Sequence, residues 1–226
     1  MPGAIQLDGG AQAPLNSKIA FSKSPISQES SIVNASSFNN DWIILKLESP
    51  LDFNEDVQPA CLPTPNWSPD LDTNSRCIAS GWGNLYFEGN SPNNLQWVEM
   101  PVVTNDVCQD AHNYYNSSFS VVVENDWIKN SMICAGYVQG GYGTCQGDSG
   151  GPLVCLNENS NAILTGITSW GVGCAYPGYY SVFARVTEAL NWINAYMVSL
   201  MSEMVNGDWA NFYSILYRLL SMYLLL

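Results

Sequence analysis

Short apolar runs separated by turn residues recur along this chain and restrict the folds open to it. The candidate strands are residues 18–23, 42–47, 77–81, 95–103, 132–135, 152–156, 162–170 and 182–186. Many short strands at this spacing indicate a barrel or a sandwich. Apolar residues then recur at helical spacing over residues 186–200, with Thr187 as the candidate N-cap. The sequence therefore predicts an all-β domain closed by one amphipathic helix.

The charge of the chain excludes several classes of partner. The 226 residues are 46% hydrophobic and include 20 acidic and 7 basic residues, for a net charge of −13. Such a composition is globular rather than disordered. Nucleic acids and anionic membranes both reward Lys and Arg, so neither is expected to bind here.

The cysteines and sequons indicate an extracellular protein. Seven cysteines are spread singly with no C-x-x-C pair, which favours disulfides over a zinc or redox site, and no metal or cofactor is predicted. N-x-S sequons, which suggest a secreted glycoprotein, occur at Asn34, Asn66 and Asn116. Residues 1–10 have neither a basic nor an apolar run, so no signal peptide is visible. We therefore expect that the beginning of the protein, signal peptide included, is missing from this chain.

The stretch G-T-C-Q-G-D-S-G-G-P-L-V-C, residues 143–155, carries the chemistry. Its glycines allow backbone N–H groups to turn toward a point beside the serine oxygen. Acyl transfer needs such donors, because its tetrahedral intermediate carries an oxyanion. Taken alone, the stretch is weak evidence, and an ordinary turn would be the favoured interpretation.

Other motifs place this loop in a family. They are N-D-W-I-I-L-K-L at residues 40–47, V-Q-P-A-C-L-P at 57–63, C-I-A-S-G-W-G at 77–83, M-I-C-A-G at 132–136 and T-S-W-G-V-G-C at 168–174. Together and in this order they resemble the trypsin/chymotrypsin family of serine endopeptidases, the peptidase S1 type. The resemblance implies a trypsin-like double antiparallel β-barrel, with the first barrel incomplete and the second complete with a C-terminal helix.

The resemblance also divides the chain into segments. Residues 1–52 would be a remnant of the first β-barrel, 53–72 an inter-barrel linker, and 73–200 the second barrel with its closing helix. Residues 201–226 form an apolar tail of unknown role, in which Arg218 interrupts a run at the lower limit for a membrane span. An extra amphipathic segment or a mistranslated end is favoured over a membrane anchor.

The family's catalytic roles are carried over to matching positions. Ser149 would be the nucleophile, and the N–H groups of Gly147 and Ser149 would form the oxyanion hole. Asp41 would orient the catalytic histidine, with Ser169 as a hydrogen-bond neighbour. Asp148 would pair with the new amino terminus that activation cleavage creates.

The resemblance also assigns the substrate-binding residues. Ser169, Trp170 and Gly171 would form the edge that pairs with an extended peptide or protein substrate. Gly143 would lie at the base of the specificity pocket and Ser181 on its lining, so the pocket is expected to be open and uncharged. Alternatively, the tyrosines near Tyr179 and Tyr180 would narrow it.

The disulfides that the resemblance implies are Cys77–Cys155, Cys108–Cys134 and Cys145–Cys174. Cys61 is left unpaired, and in family members with a tethered propeptide the matching cysteine bonds to a segment before the catalytic domain. A disulfide from Cys61 to a missing upstream segment is therefore expected.

The family's histidine has no counterpart in the sequence. It lies about 45 residues before the aspartate in this triad order, whereas the chain has one histidine, His112, which follows Asp41. His112 is expected in a surface loop and not as the base. The leading interpretation is an N-terminally truncated, secreted serine endopeptidase, inactive as it stands. The alternative is a pseudoprotease that binds proteins, although intact Ser149, Asp41 and Asp148 favour the first. A membrane-tethered interaction protein would rest on the tail alone.

Overall fold

The computed structural model describes residues 38–44, 53–55, 57–69, 76–118 and 127–205, without the side chains of 114–118 and 200–205. The predicted strand at residues 18–23, the sequon at Asn34 and the end of the apolar tail lie outside the described residues. Of the predicted first-barrel remnant, the structure describes residues 38–44 only.

Six antiparallel strands form a closed barrel. The elements are β1 (Arg76–Gly81), β2 (Gln96–Val103), α1 (Asn105–Ser118), β3 (Met132–Ala135), β4 (Pro152–Leu156), β5 (Ala162–Trp170), β6 (Ser181–Arg185) and α2 (Val186–Val205). The strand order around the barrel is β1-β2-β3-β6-β5-β4. The predicted second barrel with its closing helix is thus confirmed. Among the helices that the structure describes, none combines the length and apolarity needed to cross a bilayer.

Strands of the barrel contribute one or both of their faces to the core. In β1, Cys77 and Ala79 point inward and are 0% and 2% exposed, while Ile78 between them is 39% exposed. Successive strand residues point to opposite faces, so this pattern places one face of β1 in the core, whereas β3 and β6 are buried along their whole length. The largest side chains there include Phe183, which packs beside Gly166, where a Cβ would lie 2.9 Å from the Cβ of Phe183. A glycine in mid-strand is therefore required by close packing.

The three predicted disulfides are confirmed. Cys77–Cys155 joins β1 to β4, Cys108–Cys134 joins α1 to β3, and Cys145–Cys174 joins the serine loop to the loop after β5. Cys61 carries a free, exposed thiol, as predicted from its lack of a partner.

Three expectations from the sequence are wrong. Residues 42–44, the described half of the apolar run at 42–47, lie in no strand and pair with no described segment. Helix α2 already begins at Val186, so Thr187 lies in its first turn instead of capping it. His112 lies on helix α1 and is 2% exposed, so it is not in a surface loop.

Candidate active site

The serine loop consists of two consecutive tight turns. The N–H of Asp148 donates to the carbonyl of Cys145 at 3.0 Å, and the N–H of Gly151 donates to the carbonyl of Asp148 at 2.9 Å. Gly147 has φ of 99°, and a Cβ on it would lie 3.1 Å from the Cα of Gly83. Both the backbone angle and the close approach call for glycine at this position. Ser149 is exposed at the tip of the loop.

The loop leaves two N–H groups free to act as donors. In the described part of the chain, neither the N–H of Gly147 nor that of Ser149 donates a hydrogen bond. These are the two donors predicted for the oxyanion hole, and unused N–H groups beside an exposed hydroxyl are what an oxyanion requires.

Strand β5 connects the serine loop to Asp41. The N–H of Gly150 donates to the carbonyl of Thr168 at 2.9 Å, and the N–H of Thr168 donates to the carbonyl of Gly151 at 2.8 Å. The next residue, Ser169, is skipped in the pairing with β6, which passes from Thr168 to Trp170. This bulge turns the Ser169 side chain away from the regular pleat. Its Oγ donates a hydrogen bond to Oδ2 of Asp41 at 2.5 Å.

The segment that carries Asp41 is held at two further points. The ring of Phe38 stacks on that of Trp170, with centroids 6.2 Å apart. The hydroxyl of Ser131 donates a hydrogen bond to the side-chain oxygen of Asn39. Asp41 is thus held by its own bond to Ser169 and by the contacts of the preceding residues Phe38 and Asn39, of which only the bond to Ser169 was predicted.

Asp148 points away from Ser149, toward the G-W-G turn at residues 81–83. Its Oδ1 accepts a hydrogen bond from the N–H of Gly83 at 2.8 Å, and its Oδ2 accepts one from the N–H of Cys145 at 2.9 Å. A Cβ on Gly81 would collide with Oδ1, and one on Gly83 would collide with Cγ and both carboxylate oxygens. Both glycines of the turn are needed to admit the carboxylate.

A cavity of about 210 Å³ lies beside Asp148. Its lining includes Gly81, Asn84, Leu85, Trp97, Tyr142 and Asp148. Within the described ranges, the only ion pair is the exposed one between Arg76 and Glu99, so no described cation faces the Asp148 carboxylate. The cavity therefore has a mixed lining that is more apolar than polar, with Asp148 as its one acidic group, and it extends to Gly143.

The residues predicted for the specificity pocket are brought together. A Cβ on Gly143 would lie 2.9 Å from Oγ of Ser181 and 3.1 Å from Cβ of Ala175. Ser181 is buried, and its Oγ accepts a hydrogen bond from the N–H of Thr144 at 3.1 Å. A Cβ on Gly171 would meet nothing within 4 Å.

His112 does not reach the serine. Its ring packs against those of Trp170 and Tyr179, at centroid distances of 5.4 and 5.2 Å. Its Nε2 is buried and has no hydrogen-bond partner, so it makes no bond to Ser149. Burial lowers the pKa of His112 from 6.5 to about 4, against the opposing effect of a backbone hydrogen bond with Tyr180. Within the described residues, no group of three His, Cys, Asp or Glu side chains is placed to hold a metal ion.

Comparisons with known proteins give the family of this closed barrel and its serine loop. The family model described as Trypsin matches residues 15–193. Trypsin II-P29 of chicken (Gallus gallus) is 39% identical over 156 residues, which are 69% of this chain and 54% of that protein. The chain belongs to the trypsin family. It spans about half the length of the curated relative that it matches.

Proposed function

We propose that this chain carries the nucleophile, the aspartate and the substrate-binding edge of a serine endopeptidase. The observation that carries the proposal is the hydrogen bond from Ser169 to Asp41 at the bulge in β5. The adjacent residue, Thr168, exchanges hydrogen bonds with the serine loop. Strand β5 thus fixes the positions of both Asp41 and the loop that carries Ser149. A catalytic aspartate and nucleophile depend on being positioned relative to each other in this way.

The proposed reaction is peptide-bond hydrolysis through an acyl-enzyme. Ser149 Oγ attacks the scissile carbonyl while its proton passes to an imidazole base, and the amine leaves with that proton. The N–H groups of Gly147 and Ser149 stabilise the oxyanion. Water then attacks the ester and releases the acid product and Ser149. A peptide or protein substrate would lie extended along residues 169–171.

The base is the component that this chain does not supply. Its only histidine is His112. That side chain is buried and its Nε2 makes no contact with the nucleophile. A serine hydroxyl without an adjacent base is a weak nucleophile. We therefore propose that the chain by itself is hydrolytically inactive and that hydrolysis requires a histidine placed beside Asp41.

The cavity at Asp148 supports activation by a new amino terminus. A half-buried carboxylate that accepts two N–H groups in a largely apolar cavity would accept an α-ammonium group followed by small apolar residues. We further propose a secreted protein, because the three disulfides require an oxidising compartment, and a glycosylated one, because the sequence carries N-x-S sequons.

A second proposal, a protein-binding module without catalysis, is favoured by one observation. The single histidine is packed into the interior, while the substrate-binding edge and the open position at Gly171 remain. The two proposals differ in what happens when a histidine is supplied. A non-catalytic binder would still fail to cleave a peptide substrate after a histidine is placed beside Asp41.

We expect the chain alone not to react with a peptidyl organophosphonate, because Ser149 lacks a base. Intact-mass spectrometry after incubation measures the adduct. The positive control is a chimaera that joins the first barrel of chicken trypsin, with its histidine, to residue 38 onward of this chain. The chimaera should be labelled, and its Ser149→Ala variant should not. Stoichiometric labelling of the native chain at Ser149 would contradict the assignment of His112 as a non-base. An unlabelled but folded chimaera would favour the binding module.

A further inference from the structure

Trp170 is surrounded by aromatic rings from three separate segments. Phe38, His112 and Trp127 approach its ring at centroid distances of 6.2, 5.4 and 6.3 Å. Of these, His112 is 2% exposed, whereas Phe38 and Trp127 are 44% and 42% exposed. His112 therefore supports the indole from the interior, and the other two rings border it at the surface.

The contact between His112 and Trp170 lacks polar compensation. Nε2 of His112 and Nε1 of Trp170 are both buried without a hydrogen-bond partner. A neutral imidazole tolerates a buried Nε2 without a partner, because one of its two ring nitrogens is an acceptor that carries no proton. A protonated imidazole would bring a second N–H donor and a positive charge into the same place, where an unpaired group is costly.

No nearby charged group compensates that charge, and the backbone hydrogen bond with Tyr180 favours the protonated form by less than burial disfavours it. On α1 itself Asp106 and Asp110 are exposed. From β6, Arg185 donates to Asn105 and to the carbonyl of Met132, and it would repel a second cation. Of the other groups, Lys129 in the segment before β3 is itself basic, and the segment before β6 places the ring of Tyr179 against His112. The carboxylate of Asp41 is already bonded to Ser169. Among the described residues, none of these groups forms an ion pair with His112.

We infer that His112 is a positioning residue for Trp170. Neutral His112 holds the substrate-binding edge in place through the indole, and protonated His112 releases it. The inference rests on the proposed function, since it assigns to that edge the binding of an extended peptide. His112 does not touch the substrate. It acts through the indole of Trp170, which precedes Gly171 at the end of β5.

The first experiment uses the single histidine of the native chain as its own probe. The ¹H–¹³C spectrum of the imidazole reports His112 without assignment, and the indole N–H signal of Trp170 is identified by its loss in Trp170→Phe. We expect both signals to change with one midpoint, well below 6.5, while far-ultraviolet circular dichroism stays constant. An indole that does not respond, a midpoint near 6.5, or loss of the whole fold at the same pH would overturn the inference.

The second experiment measures binding of an acetylated tetrapeptide amide that ends in Phe. Affinity for the native chain should fall about tenfold for each pH unit below the His112 midpoint. His112→Phe keeps a planar ring and removes the titration, so its affinity should be independent of pH. An equal fall in His112→Phe would overturn the inference. If that variant does not fold, the titration of the native chain decides. A peptide that binds at no pH would count against the proposed function instead, and the coupled titration would still decide the role of His112.

Discussion

Lowering the pH from 7 to 4 is expected to cost the folded chain about 3 kcal/mol of stability through His112 alone. Burial lowers the pKa of this imidazole from 6.5 to about 4 in the folded state, and a tenfold change in an acid dissociation constant corresponds to about 1.4 kcal/mol. Between these two pKa values the unfolded chain binds a proton that the folded chain does not, so acid favours unfolding. The contribution of His112 is fully present above pH 6.5 and is lost as the pH falls toward 4.

Urea unfolding at a series of pH values measures this effect. The 20 acidic residues also titrate in this range, so the comparison with His112→Phe isolates the histidine. We expect the free energy of unfolding of the variant to fall less steeply below pH 6.5, by about 3 kcal/mol in total at pH 4. Parallel curves for the two proteins would show that His112 is solvated or paired in solution.

The second barrel could be predicted because its strands and disulfides are encoded locally. The runs at residues 152–156 and 162–170 became β4 and β5 with unchanged bounds. Each is an apolar run bounded by turn residues, and its partners lie within the same barrel. The run at residues 42–47 has the same composition, yet its described part forms no strand, since a strand exists only by pairing with another.

Helix α1 could not be predicted from periodicity because its buried stripe does not look apolar. The described stripe consists of the buried Cys108 and His112 and the partly buried Ala111, at the helical spacing of three and four residues. A histidine stands where a pattern search expects a large apolar residue, and the exposed Val107 falls outside the stripe. One signal was present: Thr104 Oγ1 accepts a hydrogen bond from the N–H of Val107 at 3.3 Å, as an N-cap does.

The site was predicted where it resembles its family and missed where it depends on packing. The contact between Asp41 and Ser169 followed from the resemblance. The stacking of Phe38 on Trp170 and the bond between Asn39 and Ser131 join segments far apart in the sequence, and no local motif encodes them. The G-W-G glycines were recognised as a motif, but only the structure shows that they make room for Asp148.

A protease that contains this site is expected to cleave after Phe, Tyr, Leu or Met at least about 100-fold better than after Arg or Lys. The proposed base of the pocket, Gly143, has no side chain, and the neighbouring Ser181 is uncharged and already bonded to the N–H of Thr144. Asp148 also lines the cavity at Gly143, but both of its oxygens already accept hydrogen bonds from N–H groups. An Arg or Lys side chain would therefore be buried without a dedicated counterion at the base of the pocket, which costs several kcal/mol. An apolar side chain instead gains from burial, by about 1.5–3 kcal/mol for a large residue. A 100-fold preference corresponds to about 2.7 kcal/mol, well within these two contributions.

The preference is measured as kcat/KM in the chimaera with a complete first barrel, on peptides that differ only at the residue before the cut. Gly143→Asp supplies a carboxylate, and its Cβ would lie 2.9 Å from Oγ of Ser181. Ser181→Gly removes that oxygen, so the double variant should accept Arg. Gly143→Ala with Ser181→Gly is the matched control, because it adds the same Cβ without the charge, and it should gain nothing for Arg.

Two results would revise this pocket. A preference of the unmodified chimaera for Arg or Lys would show that a carboxylate other than one at position 143 reaches the substrate, and would refute the assignment of Gly143. A preference for Ala or Val over Phe would indicate a narrowed pocket.

Tyr179 and Tyr180 are 8% and 7% exposed, and they pack against His112 and beside Cys108 respectively. Tyr176, by contrast, is 44% exposed. Its ring covers Gly173 so closely that a Cβ there would collide with it. Tyr176→Ala should therefore restore cleavage after Phe if a tyrosine narrows the entrance, whereas substitutions of the two buried rings would destabilise the barrel without widening it.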